Sequence, residues 1–207
     1  MPGMKALPLP QVRALLQRLP LKYRALCAIG VTTGCRITEI LKLRRFDLIS
    51  GDGRLKEKIA FLILKKKKGP LHRHLSIPAT FRPCIIAHLK NEEQKGYDRP
   101  DDLVFRGKKG LPLSRVRAYH VFRDFLGEGY GTHWMRKTFA KEIFEFYSRD
   151  QKWKDPMRAL ELTRHALGHA RIDTTVRYLG ITEESIEKAQ KAVFDVQQEG
   201  EKDHGTP

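Results

Sequence analysis

Apolar residues recur at intervals of three and four along most of the chain, the spacing that places them on one face of a helix. The first predicted helix covers residues 11–19, and Pro20 ends it. The second covers residues 23–33 and stops at Gly34. A third buries Ile37, Ile40, Leu41 and Leu43, and later helices are predicted at 80–95, 114–126, 132–147 and 156–167, with a short segment at 176–179 and a last helix from 182.

The period of the pattern changes between residues 46 and 78. A continuous apolar run covers 59–64, and apolar and polar residues largely alternate over 71–77, as in a half-buried strand. These segments predict an antiparallel hairpin with its tip at 65–70, and residues 103–105 predict a short edge segment. The predicted fold class is therefore mainly α with a small antiparallel β-sheet.

Length and composition limit the class of protein. The chain has 207 residues, enough to bury a substantial core, and three cysteines without the paired spacing of a disulfide framework or zinc knuckle. No apolar run approaches the ~18 residues that a membrane span requires. The first ten residues lack the apolar core of a signal peptide. We expect a soluble, cytoplasmic protein without membrane association.

Basic residues strongly outnumber acidic ones. Lys and Arg total 40 against 24 Asp and Glu, which gives a formal net charge of +16. This excess favours a polyanionic partner held by salt-dependent phosphate contacts. Charge alone is weak evidence for nucleic acid, because ribosomal, chromatin and membrane-surface proteins share it.

Three short motifs supply a more specific signal. Arg36 lies in Thr-Gly-Cys-Arg-Ile-Thr-Glu, His133 and Arg136 form His-Trp-Met-Arg, and His169 in Leu-Gly-His precedes Tyr178 by nine residues. A phosphodiester attacked by an oxygen nucleophile gathers negative charge on its oxygens. Guanidinium and imidazole groups are donors that can hold this charge without a metal. Tyr178 supplies an oxygen that can attack.

Each motif also has an ordinary structural interpretation. Arg36 fits an exposed surface ion pair, and the second motif fits a basic surface helix. His169 fits a residue at a helix end, and Tyr178 fits a half-buried core aromatic. His165 is a rival imidazole one helical turn earlier, but we prefer His169 because it follows Leu-Gly at the right distance from Tyr178. Chance agreement of all three motifs in order is improbable.

Together the motifs resemble the catalytic domain of the tyrosine recombinase, or phage-integrase, family, over residues 8–195. The resemblance implies the integrase catalytic-domain fold and DNA strand cleavage and rejoining through a covalent 3′-phosphotyrosyl intermediate. It implies double-stranded DNA as partner, no cofactor and no metal. The catalytic residues that it implies are Arg36, His133, Arg136, His169 and Tyr178. Cations beside Tyr178 are expected to lower its pKa from about 10.

The family also uses a lysine at the hairpin tip to protonate the leaving 5′ oxygen. Four lysines occupy the predicted tip, and we choose Lys67, two residues before Gly69, for this role. The others are assigned to DNA-backbone binding: Lys65, Lys66 and Lys68.

The chain departs from the family at several points. Family members usually carry a separate helical domain before the catalytic one, whereas we expect a single catalytic domain over 1–199, either a fragment or a naturally short member, and a disordered tail at 200–207. Lys137 stands where the family often has His, and we place it outside the catalytic set. His72 and His74 alternate on a strand, and we interpret them as a polar strand face rather than metal ligands.

Two other functions and two positions of the last helix stay open. Type IB topoisomerases share this chemistry, and a DNA-binding regulator could keep the fold without cutting. We expect a monomer without DNA and self-association on DNA as a tetrameric synapse. The last helix, 182–196, either docks on a neighbouring protomer or folds back on its own domain.

Overall fold

The computed structural model describes residues 5–62, 72–149, 155–179 and 181. These residues form a mainly helical domain with one two-stranded antiparallel sheet, as predicted. The helices are α1 (Leu9–Arg18), α2 (Leu21–Thr33), α3 (Ile37–Ile40), α4 (Arg45–Leu48), α5 (Arg82–Glu93), α6 (Arg115–Leu126), α7 (Trp134–Arg149), α8 (Pro156–Leu167) and α9 (Ile172–Leu179), and the strands are β1 (Lys58–Leu62) and β2 (His72–Ser76). None of the described helices is long and apolar enough to cross a membrane.

Helix α2 is the centre of the main core. Its residues from Ala25 to Val31 are all buried, so this helix is covered on every side, mainly by α5 and α7. Gly30 permits the close approach of α7, because a Cβ there would lie 2.5 Å from the Met135 sulfur. The hydrophobic effect of burying this apolar surface thus fixes α7 against α2.

The sheet lies beside this core and pairs Ile59 with Leu75 in an antiparallel register. Ile59 and Phe61 are buried, as the apolar run predicts, and Ile77 just beyond β2 is buried as well. The predicted hairpin tip at 65–70, with all four candidate lysines, lies outside the described residues. The predicted last helix from 182 also lies outside them.

Two local predictions were inexact, one helix was not predicted, and α9 begins at Ile172 rather than at residue 176. Helix α3 has a single turn, because the Leu43 carbonyl leaves the helical path to accept a hydrogen bond from the Val104 N–H at 2.9 Å. Next to this hydrogen bond, Arg44 and Leu103 form an isolated antiparallel bridge. The edge segment predicted at 103–105 is therefore reduced to this single bridge. The extra helix α4 follows, with the Asp47 carboxylate accepting the Arg44 N–H at 2.8 Å, a local cap that apolar spacing does not reveal.

A second, smaller apolar cluster joins α7, α8 and α9. Phe139, Ala140 and Leu167 form its buried part, and Tyr178 and Leu179 pack against it. This cluster holds α9, and with it the Tyr178 side chain, next to the first turns of α7.

Candidate active site

The five predicted catalytic residues come together where the termini of several helices meet. Arg36 lies in the turn between α2 and α3, His133 immediately precedes α7, and Arg136 is in the first turn of α7. His169 follows α8, and Tyr178 lies near the end of α9. Residues from three sequence motifs separated by up to about 140 positions therefore share one region of the molecule.

Arg136 occupies the centre of this region and is only 2% exposed. Its guanidinium donates one hydrogen bond to the Gly34 carbonyl and another to the Leu167 carbonyl, the latter at 2.7 Å. These carbonyls belong to the C-terminal ends of α2 and α8, where helix dipoles present negative charge. The paired carbonyls offset the cost of burying the cation and tie two helix ends to α7.

Gly34 is required at this junction for two separate reasons. Its φ of +60° lies in the left-handed region that terminates helix α2, and a Cβ would lie 2.3 Å from the Phe139 ring. The chain can therefore turn at this point and still pack against α7.

Arg36 is oriented by the buried carboxylate of Glu39. Glu39 Oε2 accepts the Arg36 backbone N–H at 2.8 Å, and Oε1 accepts the guanidinium Nη1 at 3.1 Å. The Arg36 side chain is 25% exposed and that of Glu39 is 3% exposed, so the pair is anchored inside and reaches towards solvent. This differs from the alternative of an exposed surface ion pair.

His169 is held by the local geometry that follows α8. Gly168 has a φ of +67°, and the His169 N–H donates to the Arg164 carbonyl at 3.0 Å, which together close the helix in a Schellman motif. The His169 ring places Nδ1 3.1 Å from Thr175 Oγ1 and packs edge-on against Tyr178, with 5.4 Å between ring centroids.

The rival imidazole lies elsewhere. His165 Nε2 is 3.1 Å from Glu161 Oε1, and the His165 side chain is 67% exposed. Of the two histidines, the structure therefore brings His169 to Tyr178, in agreement with the preference drawn from the motif.

Tyr178 is partly buried among these cations and imidazoles. Its Oη lies 3.3 Å from His133 Nδ1, and the Arg136 guanidinium carbon lies 5.9 Å from its ring centroid. Burial raises the pKa of Tyr178 to about 12, although Arg136 and Arg36 each act to lower this pKa. The expectation of a lowered pKa was therefore wrong for the free protein, because desolvation of the phenolate outweighs the two guanidiniums.

His133 and Arg136 do not share one environment, although they are three residues apart. His133 is exposed, whereas Arg136 is buried. His133 lies next to the Tyr178 hydroxyl, and Arg136 lies next to its ring and also acts on its hydroxyl through a hydrogen bond. This difference arises because His133 precedes the first residue of α7, whereas Arg136 lies in the first turn of that helix.

The sequence interpretation left out Lys137. Its ammonium nitrogen lies 5.8 Å from the Tyr178 ring centroid, close to the distance of the Arg136 guanidinium carbon. Both distances are within the range of a cation–π attraction. The signals in the sequence were its position directly after Arg136 and its place where the family often has His.

A cavity of about 490 Å³ lies beside Arg36 and His133. Its opposite wall comes from the first two turns of α6, where Arg115, Val116 and Tyr119 line it. Cationic, aromatic and imidazole side chains along one cavity suit a phosphate-bearing strand. The motifs did not identify the α6 residues, because their contribution depends on how α6 packs.

The lysine predicted as general acid, Lys67, lies outside the described residues, as do Lys65, Lys66 and Lys68. Among the residues that the structure describes, there is no group of three or more His, Cys, Asp or Glu side chains arranged to hold a metal ion. The side chains described around Tyr178 include two guanidiniums and two imidazoles, and such a set suits an anionic ligand.

Comparison with known proteins gives a family match and several relatives. The sequence model of the phage integrase family matches residues 6–185. The chain is 29% identical over 167 residues to a probable integrase/recombinase, YoeC, of Bacillus subtilis, covering 78% of this chain and 79% of that protein. It is also 29% identical over 174 residues to the tyrosine recombinase XerH of Helicobacter pylori, covering 81% of this chain but 43% of XerH.

Solved structures show the same fold. The XerH recombinase bound to a palindromic difH substrate has a TM-score of 0.61 at 24% identity and covers 91% of this chain and 53% of that one. The XerA recombinase has a TM-score of 0.65 at 16% identity, covering 93% and 66%. The chain thus spans between about half and two thirds of the length of these structural relatives.

Proposed function

The chain belongs to the phage integrase family, and from this premise we propose that it is a site-specific DNA recombinase or integrase. It cleaves and rejoins DNA strands through a covalent 3′-phosphotyrosyl intermediate. The observation that carries this proposal is the convergence of His133, Arg136 and His169 on the Tyr178 side chain. An oxygen nucleophile surrounded by cationic donors is the arrangement that phosphodiester attack requires.

In the proposed first step, Tyr178 Oη attacks the phosphorus atom of the DNA backbone. A bond forms between Oη and phosphorus, and the bond from phosphorus to the 5′ oxygen breaks. His133 Nδ1, at 3.3 Å, receives the phenol proton when its own ring proton is on Nε2. Rejoining reverses the step, with a 5′ hydroxyl attacking the phosphotyrosine and the proton returning to Oη.

The arginines stabilise the charge that grows on the phosphate oxygens. Arg36 reaches towards the cavity from its Glu39 anchor, and Arg136 is rigidly held by the two helix-end carbonyls. Donors fixed before the reaction need no reorganisation during it, which is the main source of electrostatic catalysis. Lys67 is the proposed proton donor to the leaving 5′ oxygen, with Lys65, Lys66 and Lys68 on the DNA backbone.

The phenol proton of Tyr178 must be removed before its oxygen can attack, and burial makes this removal harder. At neutral pH the phenol of the free protein stays protonated, because its pKa is about 12. Nucleophilic attack therefore requires proton transfer to a neighbouring base as the phosphate arrives. This limits reaction of the tyrosine with other electrophiles.

Double-stranded DNA is the proposed partner, and the net charge of +16 supports binding through backbone phosphates. XerH, a tyrosine recombinase, has been solved on its difH substrate in both pre-cleavage and post-cleavage complexes. We propose a catalytic domain over residues 1–199 that is monomeric when free and forms a tetrameric synapse on DNA. The segment 182–196 is the proposed contact between protomers.

A nicked suicide substrate tests the proposal. Such DNA loses a short strand after cleavage, so the covalent protein–DNA adduct accumulates and is detected on a denaturing gel. Tyr178→Phe should abolish the adduct and retain DNA binding, because it removes only the nucleophilic oxygen. A Phe variant that still forms the adduct would show that Tyr178 is the wrong residue. Relaxation of supercoiled DNA without exchange between two sites would instead favour topoisomerase activity.

A further inference from the structure

Arg164 contacts both ends of the His169 backbone. The Arg164 carbonyl accepts the His169 N–H at 3.0 Å, and the Arg164 Nη1 donates to the His169 carbonyl at 2.8 Å. His169 is the imidazole whose ring packs against Tyr178. One residue at the end of α8 thus restrains the two peptide groups that flank this imidazole.

Glu161 fixes the direction in which the Arg164 side chain points. Glu161 Oε2 accepts the Arg164 Nε–H at 2.8 Å, and Oε1 accepts an Nη2–H at 2.5 Å. This two-point geometry uses one edge of the planar guanidinium and directs Nη1 towards the His169 carbonyl. A lysine has no equivalent rigid edge.

We propose that Arg164, held by Glu161, is a positioning residue for His169. The inference rests on the proposed function, because it concerns an imidazole that acts in strand cleavage. His169 lies in the short segment between α8 and α9, directly after Gly168 and beyond the last residue of α8. Arg164 restrains its peptide groups, Thr175 contacts its ring, and the two together fix the distance to Tyr178.

The first test compares Arg164→Met with Arg149→Met. Met keeps an unbranched side chain as far as the ε position and a similar helix propensity but removes the donors. Arg149 is a matched control because it also pairs with a glutamate of its own helix, Glu145, at 3.1 Å. Single-turnover adduct formation at saturating DNA should fall about tenfold for Arg164→Met and change less than about twofold for Arg149→Met. Arg164→Lys should recover part of the loss, because one donor to the His169 carbonyl is restored.

The second test separates positioning from a general structural role. In a His169→Ala background, Arg164→Met should lower the cleavage rate less than about twofold, because its effect passes through His169. A tenfold loss that persists in that background would overturn the proposal. If His169→Ala alone leaves cleavage unchanged, the assignment of His169 in the proposed function fails, which is a distinct outcome.

A third readout needs no DNA. The ring resonance of His169, assigned by its loss in His169→Ala, should shift in the NMR spectrum of Arg164→Met and stay in place in Arg149→Met. An unshifted resonance in Arg164→Met would contradict the proposal. If Arg164→Met does not fold, Glu161→Gln replaces it in all three measurements, because it weakens the grip on Arg164 without removing the guanidinium. Glu161→Gln is then also expected to lose most of its effect on the cleavage rate in the His169→Ala background. An effect of equal size in both backgrounds would overturn the inference.

Discussion

The hydrogen bond between Thr175 and His169 offers a sharp test of the site. Thr175 is fully buried on α9, and its Oγ1 lies 3.1 Å from His169 Nδ1. Thr175→Val replaces this hydroxyl with a methyl group of similar shape and keeps the β-branch. A net hydrogen bond contributes about 0.5–1.5 kcal/mol. If this full contribution is required in the transition state but not in the ground state, losing the bond slows cleavage by roughly two- to thirteenfold.

The effect on stability should be modest. A loss of about 1 kcal/mol lowers the Tm of a domain of this size by about 2–4 °C. The measurement is single-turnover adduct formation on a nicked substrate, together with thermal unfolding of the same samples. Cleavage is compared at a temperature where every variant is folded, so that unfolding does not contribute to the rate.

The chain offers a matched control one residue away. Thr174 is exposed, so Thr174→Val should leave the rate unchanged, and Thr175→Ser should retain most of the wild-type rate because the hydroxyl is kept. Equal rates for Thr174→Val and Thr175→Val would refute the reasoning. A loss in Thr175→Ser as large as that in Thr175→Val would show that the hydroxyl is not sufficient, and would contradict the assignment of the effect to this hydrogen bond.

Three further predictions concern backbone geometry, pH and metal. Gly34→Ala should destabilise the fold by about 2–5 kcal/mol in chemical denaturation, because it combines left-handed backbone strain with a clash against Phe139. As controls, Gly53→Ala should show only the backbone strain of about 1–2 kcal/mol, and Gly51→Ala should have almost no effect. Equal values for all three variants would contradict the geometry. The neutral phenol of Tyr178 is favoured in the folded state, so its stabilising contribution is present below pH 10.0 and is lost as the pH rises towards about 12. Tyr178→Phe should lack this part of the alkaline loss in unfolding free energy, and parallel pH curves for the two proteins would contradict the raised pKa. Adduct formation should survive EDTA, because cationic side chains are proposed to stabilise the phosphate; strict dependence on Mg²⁺ after metal removal would argue for a metal-dependent nuclease.

Helix boundaries were the part of the fold best predicted from sequence. Helix α8 runs from Pro156 to Leu167 as predicted, because Pro is favoured in a first helical turn and Gly168 adopts the left-handed conformation that ends it. These signals act within a few residues, so they can be found without knowledge of the fold. The short helices α3 and α4 were misjudged because pairing with residues 103–104 interrupts the local pattern.

The choice of chemical groups was also accessible from sequence, but their environments were not. The order and spacing of the motifs were enough to propose a catalytic set, and the structure brings its members together: Arg36, His133, Arg136, His169 and Tyr178. Burial decided the pKa of Tyr178, since desolvation depends on how α9 packs against α7 and α8. No spacing rule predicts that the Arg136 guanidinium will donate hydrogen bonds to carbonyls at the C-terminal ends of two other helices.

The sequence by itself therefore indicated which side chains are candidates for the chemistry, in which order, and where most of their helices begin and end. Only the tertiary structure decided how these groups are held. The Arg136 bond to the Gly34 carbonyl joins residues 102 positions apart, and the contact of His133 with Tyr178 spans 45 positions. Such contacts form because burial of the α2 and α7 surfaces brings distant segments together. The free energy of that burial belongs to the whole core, so no short stretch of sequence encodes it.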